Sequence, residues 1–441
     1  MSLIASFRRS PTTTAERMFR GMMTLALGGV LARAISIFTV PIVARIYGPA
    51  DYGVLAVYAS IVQMILPVLT LRYVIAIPLP RSEALAFNVL VLSVLLLSAI
   101  SVIIGFGLAL FGPTLLPMVS AEKLVSWWWL VLIGVILAGL SEILTSWATR
   151  HREYKLMARK NVTVTVFAES VKIGLGLLGL KPLGLLLGQT ANQSTGVVSF
   201  TRHFWPQFKR NAKRLSWKRL LFVARYYVSY PLFRLPSQFL LVYSIQAPLL
   251  FTASLYGLPV SGQLGLALTM LALPINLIGQ AMGQAYYAEV AKIGRKNPAE
   301  IMRLTKHSQI RLFLGGLAPT AILLFFAPML FSFAFGERWH MAGQFAGTLS
   351  IYMLLQFTSA PLIQLLNIFN KQYIFLILNI IRTIAISALF HFAHQAGFTA
   401  EEYVLAYSLI MVVFYCGVSA YIFIIVHRAI KSGGTRTERA T

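Results

Sequence analysis

Apolar runs of about 20 residues recur from end to end of this chain, and they constrain its fold more than any other feature of the sequence. Each run is long enough to cross the hydrocarbon core of a bilayer as an α-helix. Charged residues make up 12% of the 441 residues, about half their share in soluble domains. The short alternating segments of a β-barrel are absent from the sequence. The sequence therefore predicts a polytopic all-α membrane protein.

Hydropathy and loop residues divide the chain into twelve predicted spans. A basic tail, 1–20, precedes an N-terminal lobe of six spans, 21–203, and a basic linker, 204–218, leads to a C-terminal lobe, 219–428, and a tail, 429–441. The first span is too long for a signal peptide and is predicted to be retained. In order, the spans are 21–46, 52–78, 85–111, 124–149, 158–180, 182–203, 219–252, 262–290, 306–335, 343–368, 372–394 and 402–428.

The distribution of Lys and Arg supports the sixth span, which is polar in its middle at 188–196. With twelve spans, 27 of the 38 Lys and Arg fall on one side of the membrane, and only Lys123, Lys181 and Arg338 fall on the other. Without that span, the seven cations of 202–219 would change sides, against the positive-inside rule. Both termini are therefore predicted to be cytoplasmic. Such loops also explain the net charge of +25 without nucleic-acid binding.

Two stretches of the sequence resemble each other at a distance of 209 residues. YGPADYGVLAVYAS, 47–60, follows the first span, and YGLPVSGQLGLALT, 256–269, follows the seventh. Repeats in the same orientation predict two six-helix lobes related by a pseudo-two-fold axis along the membrane normal.

Several cations occupy predicted spans, where each mid-membrane charge costs roughly 2.5–3.5 kcal/mol. Four of them lie near mid-span: Arg33, Lys172, Arg234 and Arg382. Four others are close enough to span ends to reach the headgroups, namely Arg45, Arg72, Arg225 and Arg311.

Only two carboxylates, Glu142 and Glu169, lie near mid-span, so they cannot neutralise all of these cations. Glu169 and Lys172 are three residues apart on one helix and are as well explained by pairing with each other. We predict a cationic, water-filled cavity that binds an anion, because guanidinium groups bind phosphate oxygens in a bidentate manner. The candidate pyrophosphate ligands are Arg33, Arg234, Arg382, Lys172 and Arg225, and the candidate coupling groups, for H⁺ or Na⁺, are Glu169 and Glu142.

The seventh span places Arg234 between Pro231 and Pro236. Each proline interrupts the backbone hydrogen bonds of a helix, so we expect a bend that re-aims Arg234. Interrupted helices are common where transporters bind their substrates. Tighter helix packing explains the prolines equally well, but not the arginine.

Amide side chains form a second polar set. They are expected on the sixth span (Gln189, Asn192, Gln193), the eighth (Asn276, Gln280, Gln284) and the tenth (Gln356, Gln364, Asn367). Amides donate and accept hydrogen bonds, which suits sugar hydroxyls; interhelical hydrogen bonding is the simpler explanation for any single one. We predict Asn276, Gln280, Gln284, Gln189 and Asn192 as glycan ligands.

No catalytic triad, phosphate-binding glycine loop or metal signature is present in the sequence. His391 and His394 are one turn apart but have no carboxylate or cysteine near them in sequence, and Cys416 is a single cysteine in an apolar run. We therefore expect no cofactor, no metal and no enzymatic activity, with transport driven by an ion gradient or by the substrate's own gradient.

Three stretches resemble bacterial polysaccharide flippases of the multidrug/oligosaccharidyl-lipid/polysaccharide exporter superfamily. These are VARIYGPADYGVLAVYASIV, 43–62, the segment that begins YGLPVSGQLGLAL, 256–292, and the segment that begins FGERWHMAGQF, 335–372. The resemblance covers almost the whole chain apart from its tails, and its short motifs indicate the family better than the substrate.

The resemblance implies a protein of the bacterial inner membrane that flips a polyprenyl-pyrophosphate-linked oligosaccharide to the periplasmic leaflet by alternating access. Its partners would be that lipid-linked oligosaccharide, membrane lipids, and polysaccharide polymerase or chain-length proteins. Arg33 and Arg234 would contact the pyrophosphate. Flippases of the peptidoglycan precursor usually have two further helices, so twelve spans disfavour that substrate.

Four alternatives remain open at the level of sequence. An ion-coupled multidrug or small-solute exporter of the same superfamily would use mid-membrane carboxylates for organic cations. A major-facilitator sugar transporter would carry a charged turn where this chain reads IPLPRSEALAF, 77–87. A membrane polymerase or ligase would need larger outer loops than 112–123, and a scaffold would leave the intramembrane cations unexplained.

Overall fold

A computed structural model describes residues 14–275, 279–294, 297–369 and 372–437. Over these ranges the chain forms helices joined by short turns, with no strand. The predicted all-α class is confirmed.

Six long helices correspond to the first six predicted spans. They are α1 (Thr14–Ile46), α2 (Pro49–Leu69), α3 (Glu83–Leu115), α4 (Trp128–Arg150), α5 (Tyr154–Leu177) and α6 (Leu183–Ala212).

The turn between α1 and α2 shows how its sequence motif works. Pro49 is the first residue of α2, where a missing N–H is harmless. The Gly48 N–H donates to Asp51 Oδ2 at 3.0 Å, so the third residue of the helix caps its own start.

The remaining helices cover the other six spans, two of which are divided. They are α7 (Trp217–Tyr226), α8 (Leu235–Tyr256), α9 (Leu258–Pro274), α10 (Gln280–Ile293), α11 (Pro298–Phe335), α12 (His340–Ser359), α13 (Gln372–Ala396) and α14 (Ala400–Thr437). The seventh span consists of α7 and α8, and the eighth of α9 and α10.

The segment predicted as a linker, 204–218, consists of the end of α6, a turn and the start of α7. The turn is held against the start of α3: the Ser216 N–H donates to Asn88 Oδ1 at 3.4 Å, and Asn211 Nδ2 donates to Glu83 Oε1 at 3.3 Å.

The chain divides into two compact units, residues 1–242 and 243–441. In the first unit, α5 packs against α1 and α6, and α4 packs against α3 and α6. A Cβ atom on Gly28 would lie 2.8 Å from Ala158 Cα, so α1 and α5 approach closely only because Gly28 has no side chain. In the second unit, α12 packs against α11 and α14, and Gly343 allows a similarly close approach of α12 to Pro328.

Among the described helices, nine segments are long and apolar enough to cross a membrane. α5 and α6 are not among them and carry polar residues in their middles, and α9 is an apolar helix of shorter length. Large apolar side chains such as Phe38, Phe325 and Phe333 are more than 70% exposed, as expected for surfaces that contact lipid. The protein is a multi-pass membrane protein.

Candidate functional site

The seventh span is interrupted at its prolines, as predicted. α7 ends at Tyr226, and a five-residue π-helical turn, Tyr230–Arg234, precedes α8. Pro231 has no N–H and cannot continue an α-helix through this point, and a wider π turn accommodates the break. Arg234 is the last residue of that turn and is exposed. Within the ranges that the structure describes, Arg234 has no hydrogen-bond or ion-pair partner.

Four aromatic rings form a ladder along the same interruption. The centroids of Phe222 and Tyr226 are 5.7 Å apart, those of Tyr226 and Tyr227 4.9 Å, and those of Tyr227 and Tyr230 6.0 Å. Arg225 is exposed beside these rings. The spacing of these aromatic residues is visible in the sequence. The sequence alone does not show that their rings stack alongside a break in the helix.

Arg33 lies on α1, near the close contact between α1 and α5, and is half-buried. As with Arg234, none of the described residues pairs with it. Three of the five predicted pyrophosphate ligands, Arg33, Arg225 and Arg234, thus have no ion-pair partner among the described residues.

Lys172 is different, because its charge is already neutralised. Its Nζ atom donates to Glu169 Oε1 at 2.8 Å, and the two side chains are 11% and 9% exposed. The hydroxyl of Tyr47 donates to the Lys172 carbonyl at 2.7 Å. The pairing of these two residues along α5, considered from the sequence, is confirmed.

Glu142 is also paired, with Arg72, whose Nη1 donates to Glu142 Oε1 at 2.9 Å. The expectation that Arg72 reaches the headgroups was wrong, since its side chain is only 14% exposed. The chain leaves α2 just before Arg72, which has a left-handed backbone conformation with φ of 63°. This turn brings the guanidinium against α4 instead of along the α2 axis.

Lys160 is at the start of the predicted fifth span and lies inside α5. Its Nζ donates to Ser141 Oγ of α4 at 3.2 Å and lies 5.5 Å from the centroid of the Phe200 ring of α6. A Cβ atom on Gly196 would collide with the Lys160 side chain, so a glycine makes room for it.

Arg382 is buried in the second unit, with 6% of its surface exposed. Its Nε atom donates to Ser244 Oγ at 2.8 Å, and its Nη2 also contacts that hydroxyl. The guanidinium carbon lies 5.6 Å from the centroid of the Phe414 ring, at cation–π distance. In this conformation Arg382 is surrounded by aromatic and hydroxyl groups rather than by a pocket.

Two amides of the second unit lie at a pocket of about 460 Å³. One wall is α10 with Gly279 just before it, and the other is a 3₁₀ turn, Ala360–Gln364, that continues α12. Gln284 and Gln364 line it. Asn276 lies outside the described residues, as does the side chain of Gln280.

In the first unit, Gln189 is half-buried and Asn192 is exposed on α6. Between them, Thr190 Oγ1 and the hydroxyl of Tyr58 form a hydrogen bond of 2.8 Å. Gln193 Oε1 is buried and has no hydrogen-bond partner in the described part of the chain. These side chains form a polar strip on α6.

The described residues contain no group of three or more His, Cys, Asp and Glu side chains that could hold a metal ion. The distinctive chemical feature of the first unit is its set of helices that carry cations. The distinctive feature of the second unit is the pocket that the amides line.

Comparisons with known proteins give a family and a fold. A sequence model of the family described as polysaccharide biosynthesis proteins matches residues 42–344. The comparison with curated proteins yields no match.

Among solved structures, the inward-facing conformation of a multidrug resistance MATE family transporter of the MOP superfamily matches with a TM-score of 0.62 and 15% identity, over 94% of this chain and 95% of its own. The outward-facing conformation of such a transporter matches with a TM-score of 0.58 and 15% identity, over 96% and 99%.

A MOP superfamily transporter from Pyrococcus furiosus Vc1, described by the reverse polarity of its binding pocket, has a TM-score of 0.55 and 14% identity, over 95% of this chain and 99% of its own. The expected two-lobed fold of twelve helices is confirmed by these likenesses. The chain belongs to the polysaccharide biosynthesis protein family, and its fold is that of the MOP-superfamily transporters.

Proposed function

We propose that this protein is a flippase that moves a polyprenyl-pyrophosphate-linked oligosaccharide from the cytoplasmic to the periplasmic leaflet of a bacterial inner membrane. Such a step would supply lipid-linked units for O-antigen, capsule or exopolysaccharide assembly, where a polymerase and chain-length proteins would act next. The family match supports a role in polysaccharide biosynthesis, and the fold supports transport by alternating access.

The observation that carries the proposal is the exposed Arg234 at the π-helical turn of the seventh span. A charge at the centre of a bilayer costs roughly 2.5–3.5 kcal/mol unless water or a counter-charge stabilises it. Because no described residue pairs with Arg234, an anionic substrate group is its natural counter-charge. A pyrophosphate suits a guanidinium, which remains protonated and binds phosphate oxygens through two parallel N–H groups.

The charges also bear on the multidrug alternative. An exporter of organic cations needs a carboxylate that is free to bind them. The two mid-span carboxylates, Glu142 and Glu169, are instead paired with Arg72 and Lys172. This arrangement favours an anionic substrate. The same two pairs are candidates for ion coupling, because protonation or Na⁺ binding at either carboxylate would weaken its contact with the cation.

Flipping can be measured in liposomes that carry the purified protein and a fluorescent polyprenyl-pyrophosphate-linked oligosaccharide in the outer leaflet. Glycan that crosses the bilayer becomes protected from a membrane-impermeant glycosidase. We expect protection with the wild-type protein, at least a tenfold slower rate with Arg234→Ala, and an intermediate rate with Arg234→Lys, which keeps the charge without the bidentate geometry.

Arg311→Ala is the matched control, since Arg311 is an exposed arginine near the end of a predicted span in the second unit. It should flip at the wild-type rate. Equal rates for the Arg234→Ala and wild-type proteins would overturn the role of Arg234. Failure of the wild-type protein to protect glycan under imposed H⁺ and Na⁺ gradients, together with export of lipophilic cations, would favour the multidrug alternative.

A further inference from the structure

We infer that the pocket between α10 and the 3₁₀ turn Ala360–Gln364 is a subsite for an uncharged sugar ring of the transported glycan. We call it the interrupted-helix pocket. The inference rests on the proposed function and deepens it, because it assigns sugar recognition to the second unit and leaves pyrophosphate recognition to the cations of the first.

Each wall of the interrupted-helix pocket includes residues that are not in regular α-helix. On one wall, Ile275 and Gly279 have π-helical geometry. On the other wall, α12 tightens into a 3₁₀ turn that contains Pro361, a residue with no N–H to donate. Interrupted helices are common where transporters bind their substrates.

The side chains of the pocket match the chemistry of a sugar. Gln284 and Gln364 face it from opposite walls, and each amide can donate and accept a hydrogen bond. Tyr287 also lines the pocket and is 42% exposed, so that both a ring face and a hydroxyl are accessible. A pyranose presents the same combination, with hydroxyls around its edge and C–H groups on its faces.

Two glycines give the pocket its depth. Gly279 and Gly283 line it without side chains, and a Cβ atom on Gly283 would already lie 3.6 Å from Pro361 Cα on the opposite wall. The volume of about 460 Å³ is within the usual range for small-ligand sites. A bulky residue at either position would occupy the space that the ligand needs.

The interrupted-helix pocket differs in charge from the cations of the first unit. None of its described lining residues is Lys, Arg, Asp or Glu; they are Ile275, Gly279, Gly283, Gln284, Tyr287, Ala360, Pro361 and Gln364. A pyrophosphate would have no counter-charge among these residues. A neutral sugar would exchange hydrogen bonds with water for hydrogen bonds with the amides, at little cost in free energy. A purely apolar ligand would cover the Gln284 amide without giving it a hydrogen bond, and an unsatisfied amide is expensive to bury.

The test compares two probes that differ by one sugar, undecaprenyl pyrophosphate and undecaprenyl pyrophosphate bearing a single sugar. Three versions of the second probe carry glucose, galactose or N-acetylglucosamine. Affinity for each is measured with the full-length protein in nanodiscs. We expect the wild-type protein to bind at least one sugar-bearing probe more tightly than the bare pyrophosphate, by roughly fivefold to tenfold.

Gln284→Ala and Gln364→Ala should remove that advantage and leave affinity for the bare lipid unchanged. Arg234→Ala should weaken both classes of probe by the same factor. Gln344→Ala is the control, since Gln344 is an exposed glutamine on α12 outside the pocket. Unchanged melting temperatures of the purified variants establish that they fold.

The outcomes separate this inference from the proposed function. A sugar advantage that persists in both glutamine variants, or a wild-type protein that binds all four lipids equally, overturns the sugar subsite and leaves the flippase proposal standing. If the wild-type protein binds neither the bare lipid nor any sugar-bearing one, the proposed function itself fails. Loss of the sugar advantage in the two glutamine variants alone supports the subsite.

Discussion

At the scale of single residues, the intramembrane cations differ in what surrounds them. Arg234 is exposed at the end of a π turn, Lys172 is paired along its own helix, and Arg382 is buried among hydroxyl and aromatic groups. These differences separate cations without partners among the described residues from Lys172, which a carboxylate neutralises, and from Arg382, which is buried among neutral groups. Only the first kind is available to a substrate in this conformation.

The Arg72–Glu142 pair leads to a prediction about stability. Arg72 Nε and Glu142 Oε2 are buried without hydrogen-bond partners in the described part of the chain, so the single contact of 2.9 Å supports both charges. Glu142→Gln would leave the arginine without its counter-charge and should cost about 1.5–3 kcal/mol of unfolding free energy. The melting temperature of the purified protein reports the loss.

Adding Arg72→Gln to Glu142→Gln should restore part of that stability, because no charge then remains unpaired. Glu337→Gln is the control, since the Glu337 side chain is 87% exposed. If the losses of the two single variants simply add in the double variant, the residues are not coupled and the importance of the pair is disproved.

At the scale of elements, two local rules of the backbone shape the structure. Proline ends regular hydrogen bonding in the seventh span, which the sequence predicts correctly. Glycine sets how closely helices pack, which the sequence does not reveal, because the partner lies elsewhere in the chain. α1 illustrates this with adjacent glycines, of which Gly28 meets Ala158 of α5 and Gly29 has open space around it.

Gly28→Ala and Gly29→Ala should therefore have opposite effects. Alanine is about 1 kcal/mol better than glycine within a helix, so Gly29→Ala should stabilise the protein slightly. Gly28→Ala should destabilise it by about 1–3 kcal/mol, because its Cβ would lie 2.7 Å from Ala158 Cβ and force α1 away from α5. Thermal unfolding of the two variants in one detergent makes the comparison. Equal melting temperatures would show that this contact is not close in the membrane.

At the scale of the whole molecule, the twelve-span topology predicts which loops lie on each side of the membrane. It can be tested by replacing Cys416, the single cysteine, with serine and introducing one cysteine at a time. A cysteine at Lys213, in the segment between α6 and α7, should react with a membrane-impermeant maleimide only after the cells are opened. Cysteines at Lys123 and Arg338 should react in spheroplasts with intact membranes. The reverse pattern would invert the topology and the direction of transport.

Much of the fold follows from the sequence alone, and the reason is local. A run of about 20 apolar residues can be satisfied only as a helix in lipid, and prolines and glycines act on their own backbone. The membrane class, the number of spans and the break beside Arg234 depend on these effects. They require no knowledge of neighbouring helices.

The tertiary structure decided which side chains meet. Arg72 pairs with Glu142, 70 residues further along the chain, and Lys160 of α5 contacts both α4 and α6. Gln284 and Gln364 line one pocket although 80 residues separate them. Such pairings depend on how each helix is rotated and how deep each residue lies. Those quantities emerge only when the helices pack, because spacing along one helix carries no information about the facing surface of another.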